Sequence, residues 1–312
     1  MQAPFSTRLF HRLALALLLS LFAVVAKSTS AQDSTKSAQT KPASGIVDSP
    51  ASLTQKTDSD LAGQKKKTRV GVLSQAKEPN SNTSQGLYIS ILAGAGFDAK
   101  AISAEQVKQG GLNDLDLFII GGGSGTKFNA SLGEDGGQLV EQFVKRGGGV
   151  IGTCAGGYSF VLGHNEALKY IEVANARCID TKNNRWARGK GNVQIVPADD
   201  VFRPLKMFYA NGPLWEIANE PGFGKIEVLA RFNTDIHKEG DAGGIMLGTP
   251  AILAGTFGDG RFVLFSAHPE FYKSLGNHPL VIDAARWVTK GHLSNVEKIN
   301  WSAVFPSSLK AK

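Results

Sequence analysis

Apolar residues in this chain gather in short runs separated by polar or glycine-rich stretches, and the runs predict the elements. Thr68-Arg69-Val70-Gly71-Val72-Leu73, Ala99 to Ile102 and Leu115 to Ile120 read as strands, and Val150-Ile151 as the β-branched centre of another. Helices are predicted between them. Thr83 or Ser84, in the polar loop Asn80 to Gln85, can cap a helix over Leu87 to Ala95. Leu139, Val140, Phe143 and Val144 share one face of a helix at about Gly136 to Arg146. A further helix runs from Ala155 to about Leu162. Strand alternating with helix implies a parallel sheet covered on both faces. The later chain is different. Tyr170 to Ile179, Asn192 to Val196, Lys206 to Ala210 and Lys225 to Phe232 read as strands with short loops. Ala251 to Phe257 and Arg261 to Phe265 flank Gly258-Asp259-Gly260, a hairpin signal. A last helix spans Pro279 to Lys290 with Gly291 after it, the Pro-first, Gly-last order.

The first sixty-odd residues do not follow this pattern. Arg8 and Arg12 precede an almost unbroken apolar run from Leu13 to Ala26, and Thr29-Ser30-Ala31 supplies small residues before Gln32. That is the make-up of a secretory signal peptide over residues 1–31, with an uncleaved anchor as the alternative. Residues 32–67 are rich in Ser, Thr, Lys, Gln and Asp and poor in large apolar groups, so they are expected to form a disordered linker. The folded domain is expected over 68–291 and a weakly ordered tail over 292–312. With 312 residues, 42% of them apolar, a large core is attainable.

Charge adds one exclusion. Three basic residues lie in the leader and no acidic ones, which lowers the net charge from +7 for the whole chain to +4 for the remainder. Much of that excess sits in Lys65-Lys66-Lys67 and in Lys310 and Lys312, without interleaved aromatics, and reads as a solvated linker face, not a nucleic-acid footprint. The leader places the protein in a secreted or periplasmic compartment, with no stable membrane insertion once it is removed. The two cysteines are Cys154 and Cys178. In such a compartment they can form a disulfide; the setting of Cys154 points instead to a free thiol.

That setting is Gly152-Thr153-Cys154-Ala155-Gly156, directly after Val150-Ile151. It is the cysteine form of a nucleophile elbow, a sharp strand-to-helix turn in which close backbone approach requires small residues two before and two after the nucleophile. The turn puts Cys154 at a helix N-terminus, where N–H groups and the helix dipole favour a thiolate. The N–H of Ala155 would face an oxyanion formed by its attack. A second site strengthens this reading. The strand Arg261 to Phe265 ends in Ser266-Ala267-His268-Pro269-Glu270. His268 is placed to accept the thiol proton and return it to a leaving amine, and Glu270 to orient the imidazole. Gly121, Gly122 and Gly123, after Ile120, can offer the second half of an oxyanion hole. Gly121-x-Gly123-x-Gly125 lacks the Lys-Ser/Thr or dinucleotide fingerprint that nucleotide binding needs, and no cofactor or metal is expected.

The order glycine loop, Gly152-x-Cys154-x-Gly156, His268-Pro269-Glu270 resembles the class I glutamine amidotransferase-like superfamily. Cys154-Ala155-Gly156-Gly157-Tyr158, Tyr209-Ala210-Asn211-Gly212-Pro213-Leu214-Trp215 and Ala267-His268-Pro269-Glu270 resemble, more closely, the amino-terminal domain of some biotin–protein ligases. The likeness spans about Arg69 to Trp287. It implies an α/β fold, a flavodoxin-like three-layer sandwich with a mainly parallel central sheet and added antiparallel strands. It also implies a Cys154–His268–Glu270 triad at the C-terminal edge of that sheet, with Gly122, Gly123, Ala155, Tyr158 and Asn211 around a small-molecule substrate. Glutamine-hydrolysing members carry Gln four residues after the cysteine, where this chain has Tyr158, and the sequence shows no synthetase or ligase segment to receive ammonia. The expected activity is therefore that of a cysteine-dependent hydrolase or amidotransferase-like protein acting on an amide or similar acyl group, with free glutamine hydrolysed poorly or not at all. A non-catalytic small-molecule-binding protein on the same scaffold is the alternative.

Overall fold

The computed structural model describes residues 66–163, 171–181, 185–199, 202–271 and 278–290. All belong to the unit Gly63–Lys312; the unit Met1–Ala62 lies outside them. The expected leader, all but the end of the linker, the tail and the first residue of the Tyr170 to Ile179 strand therefore lie outside the described residues. Among the described residues, no helix is long and apolar enough to cross a membrane.

The strands of the first half form where its apolar runs predict. Strand β1 (Arg69–Leu73), helix α1 (Ser84–Gly94), strand β2 (Asp98–Ile102), helix α2 (Ala104–Lys108), strand β3 (Leu117–Ile120), helix α3 (Gly125–Lys145), strand β4 (Gly149–Thr153) and helix α4 (Ala155–Ser159) follow in order. Then come β5 (Val161–Leu162), β6 (Ala174–Cys178), β7 (Lys190–Pro197), β8 (Leu205–Ala210), β9 (Trp215–Ile217), β10 (Ile226–Phe232), β11 (Pro250–Phe257), β12 (Gly260–Phe265) and helix α5 (Pro279–Val288).

Nine strands make one sheet in the order β2-β1-β3-β4-β12-β11-β10-β7-β8. From β2 to β12 neighbours run parallel; from β12 to β8 they run antiparallel. β5, β6 and β9 form a smaller sheet. The four residues of β3 show why the large sheet is central. All are fully buried, Leu117 and Ile119 in one core and Phe118 and Ile120 in the other. One core takes Tyr88 and Leu92 of α1 with Leu280, Val281 and Trp287 of α5; the other takes Val107 of α2 with Leu132, Val140 and Phe143 of α3. Each such side chain contributes about 1.5–3 kcal/mol by leaving water, far above the few tenths that separate ordinary residues in local propensity. The pattern of burial, not propensity, therefore sets the strand positions. The result is the flavodoxin-like α/β sandwich with an antiparallel extension.

Two boundaries and three short elements differ from expectation. α3 starts at Gly125, not Gly136, because Ser124 caps it at the Lys127 N–H and the chain continues through a kink at Gly133 (φ 64°). α4 stops at Ser159, and its expected last turn becomes β5. α2, β5 and β9 have no counterpart in the expected elements.

The antiparallel part of the sheet bends back on itself. His268, just beyond β12, makes an isolated antiparallel bridge with Phe208 of β8, its N–H donating to the Phe208 carbonyl at 2.8 Å. A last strand thus meets the chain that follows a central one, and the residue at the seam is His268.

Candidate active site

Cys154 leaves β4 with φ 51° and ψ −101°, a left-handed backbone that a cysteine adopts at a cost of order 1–3 kcal/mol. The surroundings hold it there. Its N–H donates to the carbonyl of Phe265 at 2.9 Å, its carbonyl accepts from the Tyr158 N–H, and it caps the N-terminus of α4. A Cβ on Gly152 would stand 2.7 Å from the Gly156 carbonyl oxygen, and one on Gly156 1.9 Å from that of Ile120. Glycine at two before and two after the cysteine is what lets the elbow close.

The bond from Cys154 to Phe265 staples the elbow to the end of β12, three residues ahead of His268. His268 and Glu270 are buried, and Nδ1 of the ring lies 2.8 Å from Glu270 Oε1. This leaves the other ring nitrogen for the thiol. Burial alone would lower the imidazole pKa, but the Glu270 charge, a hydrogen bond with Cys154 and one with Glu270 outweigh it and raise it to about 10. The ring stacks obliquely between Phe208 and Phe271, with centroids 5.7 and 5.2 Å away. A Cβ on Gly122 would come within 2.5 Å of its Cε1, so the glycine loop lies directly against it.

The remaining expected residues divide. Ala155 follows the cysteine in the first turn of α4, and Gly125 approaches its carbonyl. The Gly122 N–H is already engaged, donating to Ser84 Oγ at 2.8 Å, and its carbonyl accepts from Gln85 Nε2 at 2.6 Å. Gly123 adopts φ 148° beside Phe128. Tyr158 points its hydroxyl to Asp180 Oδ2 at 2.8 Å and to the Asn211 carbonyl at 3.3 Å. Asn211 has φ 54° and binds Gly189 twice, its Oδ1 accepting from the Gly189 N–H and its own N–H donating to the Gly189 carbonyl. Its side-chain oxygen is thereby occupied in holding the Asn211-Gly212-Pro213 turn. That turn seats the rest of the site: Ser266 Oγ donates to the Pro213 carbonyl, and Cys154 Sγ donates to the carbonyl of Ala210 at 3.3 Å.

Other residues around the site carry no local sequence signal. Ser84 donates to Glu270 Oε1 at 2.5 Å. Beneath Tyr158, Arg188 and Asp180 form a buried ion pair at 2.8 Å, and Arg188 also donates to Tyr209 Oη and the Gly212 carbonyl. Burial first, then the Asp180 charge, pushes the Tyr158 hydroxyl pKa far up, and burial does the same to Tyr209 against the opposing Arg188 charge. Both hydroxyls stay protonated. Cys178 is free, like Cys154, and burial with the Asp180 charge pushes its thiol well above the ordinary range.

A cavity of about 300 Å³ opens elsewhere on the sheet edge, lined by Ser74, Gln75, Glu105 and Lys108 among others, but not by Cys154 or His268. Three of its hydroxyls are spent on local bonds: Ser74 and Ser103 accept from nearby backbone N–H groups, and Ser131 donates to the Phe128 carbonyl. The cavity and the Cys154 elbow are thus separate features of the molecule. Among the described residues, no cluster of three or more His, Cys, Asp or Glu is arranged to hold a metal.

With the elbow in view, comparison with known families finds a match over residues 92–190. This stretch matches the biotin-protein ligase N-terminal family. The match takes in the glycine loop and Cys154; His268 and the Tyr209–Trp215 segment lie beyond it. The biotin-protein ligase N-terminal resemblance read from the motifs is thus shown for the part of the chain that carries the elbow. Solved structures similar to the chain include a putative ThuA-like protein from Parabacteroides merdae (13% identity, 74% of this chain and 93% of that one, TM-score 0.46). They also include a putative GMP synthase protein from Thermoplasma acidophilum (15%, 73% and 100%, TM-score 0.37). A beta-galactosidase from Bacillus circulans sp. alkalophilus is similar at 14% identity and TM-score 0.43 over 71% of this chain, which spans 30% of that enzyme. No curated protein matches the sequence.

Proposed function

We propose that this chain is an exported cysteine-dependent hydrolase of an amide or similar acyl bond in a small molecule, built on the biotin-protein ligase N-terminal scaffold. The observation that carries the reading is the left-handed Cys154 at a strand-to-helix elbow, beside the buried His268–Glu270 pair. Strained backbone at a nucleophile persists only where surrounding structure over-determines it.

The thiolate of Cys154 adds to the acyl carbon, and the carbonyl π electrons move to oxygen. The Ala155 N–H, with Gly123 from the facing loop, stabilises that oxyanion. Gly122 is less suited, since its N–H is already given to Ser84. The imidazolium of His268 protonates the leaving amine as the carbon–nitrogen bond breaks, leaving a thioester. His268 then takes a proton from water, hydroxide adds to the thioester, and the thiolate departs with the acid. Glu270 keeps Nδ1 engaged so that the other ring nitrogen does this work. Tyr158, tied to Asp180, does not offer the amide of the usual Gln, so free glutamine is expected to be hydrolysed poorly.

The test is exposure of the intact protein to iodoacetamide and to a panel of acyl electrophiles, read by mass spectrometry. Cys154 is expected to label faster than Cys178 at neutral pH, with labelling in denaturant as the control for access. Cys154→Ala should remove the adduct at that position and leave only the slower one at Cys178, His268→Ala should lower turnover by about 10²–10⁴-fold while slow labelling of Cys154 persists, and Glu270→Gln should cost less than either. Equal labelling rates of the two cysteines would reject the nucleophile assignment. A second reading, a binding protein without turnover, is favoured by one observation: Cys154 and His268 are 7% and 5% exposed and the thiol rests on the Ala210 carbonyl. It predicts ligand affinity that changes in these variants with no turnover in any of them.

A further inference from the structure

We propose that Ser84 is a positioning residue of this site: its hydroxyl fixes the carboxylate of Glu270 and ties it to the backbone of the glycine loop. The inference rests on the hydrolase reading for its purpose, but its geometry stands apart from it.

Ser84 is the first residue of α1 and is buried. Its hydroxyl is not needed as a helix cap, since Thr83 accepts from the Gly86 N–H at 3.2 Å and fills that role. The directions of its two bonds are fixed by chemistry. Gly122 N–H can only donate, so Ser84 Oγ accepts there, at 2.8 Å. The hydroxyl proton is then directed to Glu270 Oε1, at 2.5 Å. That same oxygen accepts from the His268 ring at 2.8 Å, while Glu270 Oε2 is buried with no hydrogen-bond partner among the described residues. The carboxylate is thus held through one oxygen by two donors. Without Ser84 the imidazole would be its one anchor among the described residues, although the imidazole depends on this carboxylate for its own orientation and charge. Packing keeps the hydroxyl in place: a Cβ on Gly121 would stand 2.6 Å from Ser84 Oγ, and one on Gly122 3.4 Å from its Cβ. The glycines of this loop therefore do more than turn the chain. They admit a side chain 186 residues distant in sequence from its carboxylate partner.

The consequence is a line of four groups, from the Gly122 N–H through the Ser84 hydroxyl and the Glu270 carboxylate to the His268 ring. The loop that faces the substrate oxygen and the group that moves the proton are held in one register.

The experiment is an NMR titration of the His268 imidazole in the full-length protein, assigned with His268→Gln, beside the pH profile of Cys154 labelling by iodoacetamide. Ser84→Ala removes the hydroxyl and little else. Its His268 midpoint is expected to fall by about one pH unit toward the ordinary range, because a loosened carboxylate stabilises the imidazolium less. The labelling profile should move with it, and Ser84→Thr, which keeps the donor, should restore both. Ser84→Cys, of similar size and a weaker donor, should shift the midpoint in the same direction by less, and it serves if Ser84→Ala does not fold. A wild-type midpoint in a folded Ser84→Ala or Ser84→Cys protein would overturn the assignment. The two readings separate cleanly. If Cys154 of the wild type labels no faster than Cys178, the hydrolase reading falls, while the His268 midpoint still decides the place of Ser84.

Discussion

The parallel and antiparallel halves of the large sheet are built on different terms. β3, β4 and β12 are buried along their whole length and hold their places by apolar packing on both faces. β7 and β8 alternate between buried and more exposed positions. Close to them the interior contains charge: Asp180 and Arg188, with side chains 0% and 3% exposed, joined to Tyr158 and Tyr209. The parallel half supplies the elbow and the glycine loop, as backbone geometry. The antiparallel half supplies the carbonyl of Ala210 and the Asn211 turn, through a polar network. A site assembled at the boundary needs both, and the two should fail differently.

The largest expected effect is in the polar region. Asp180→Ala leaves the Arg188 guanidinium buried without its carboxylate and should destabilise the protein by about 3–5 kcal/mol, read by urea denaturation. The double replacement Asp180→Leu with Arg188→Met should recover much of that loss; additivity of the two single effects would mean the pair is not coupled. Next comes the parallel half. Gly156→Ala drives a methyl against the Ile120 carbonyl oxygen, a backbone atom that cannot swing away, and should cost about 1–3 kcal/mol. An unchanged melting temperature would show that the elbow tolerates a wider turn.

A smaller effect, per step, comes from pH. His268 has a folded pKa of about 10, above the ordinary 6.5. A raised value means that the folded state binds the proton more tightly. The stabilisation is complete below pH 6.5 and is lost as pH rises through 10, with a slope of at most about 1.4 kcal/mol per pH unit for one proton. His268→Gln should flatten melting temperature over this window; an equally steep wild-type and variant profile would assign the loss to other groups. The smallest effect has the opposite sign. Cys154→Gly relieves the left-handed backbone and should stabilise the fold by about 1 kcal/mol while abolishing labelling at that position. A loss of stability would mean that the side chain's contact with Ala210 outweighs the strain.

The same contrast governs what the sequence discloses. Val150-Ile151 and Leu117 to Ile120 are legible because a strand buried on both faces has to be an apolar block, and the Gly-x-Cys-x-Gly spacing follows from local sterics. α2 has its own signal, Ser103 and Gln106 forming a reciprocal cap, yet its five residues are too few for an apolar period. The start of α3 is obscured by Gly125, Gly133, Gly136 and Gly137. What no local rule discloses is pairing across distance. Nothing near Ser84 points to Glu270, and Asp180 and Arg188 look like surface charges until β6, β7 and β8 bring them together. The Tyr209–Trp215 motif is conspicuous as a pattern, but Asn211 proves to spend its side-chain oxygen on Gly189, which only the folded turn reveals.

The seam between Phe208 and His268 carries a temporal consequence. Loop-closure entropy favours the hairpin pairings between these two positions forming before the seam itself. Until then Cys154 is an ordinary thiol in a short elbow, with no imidazole beside it. On the hydrolase reading proposed above, the sulfur is expected to gain its reactivity only when that seam has closed.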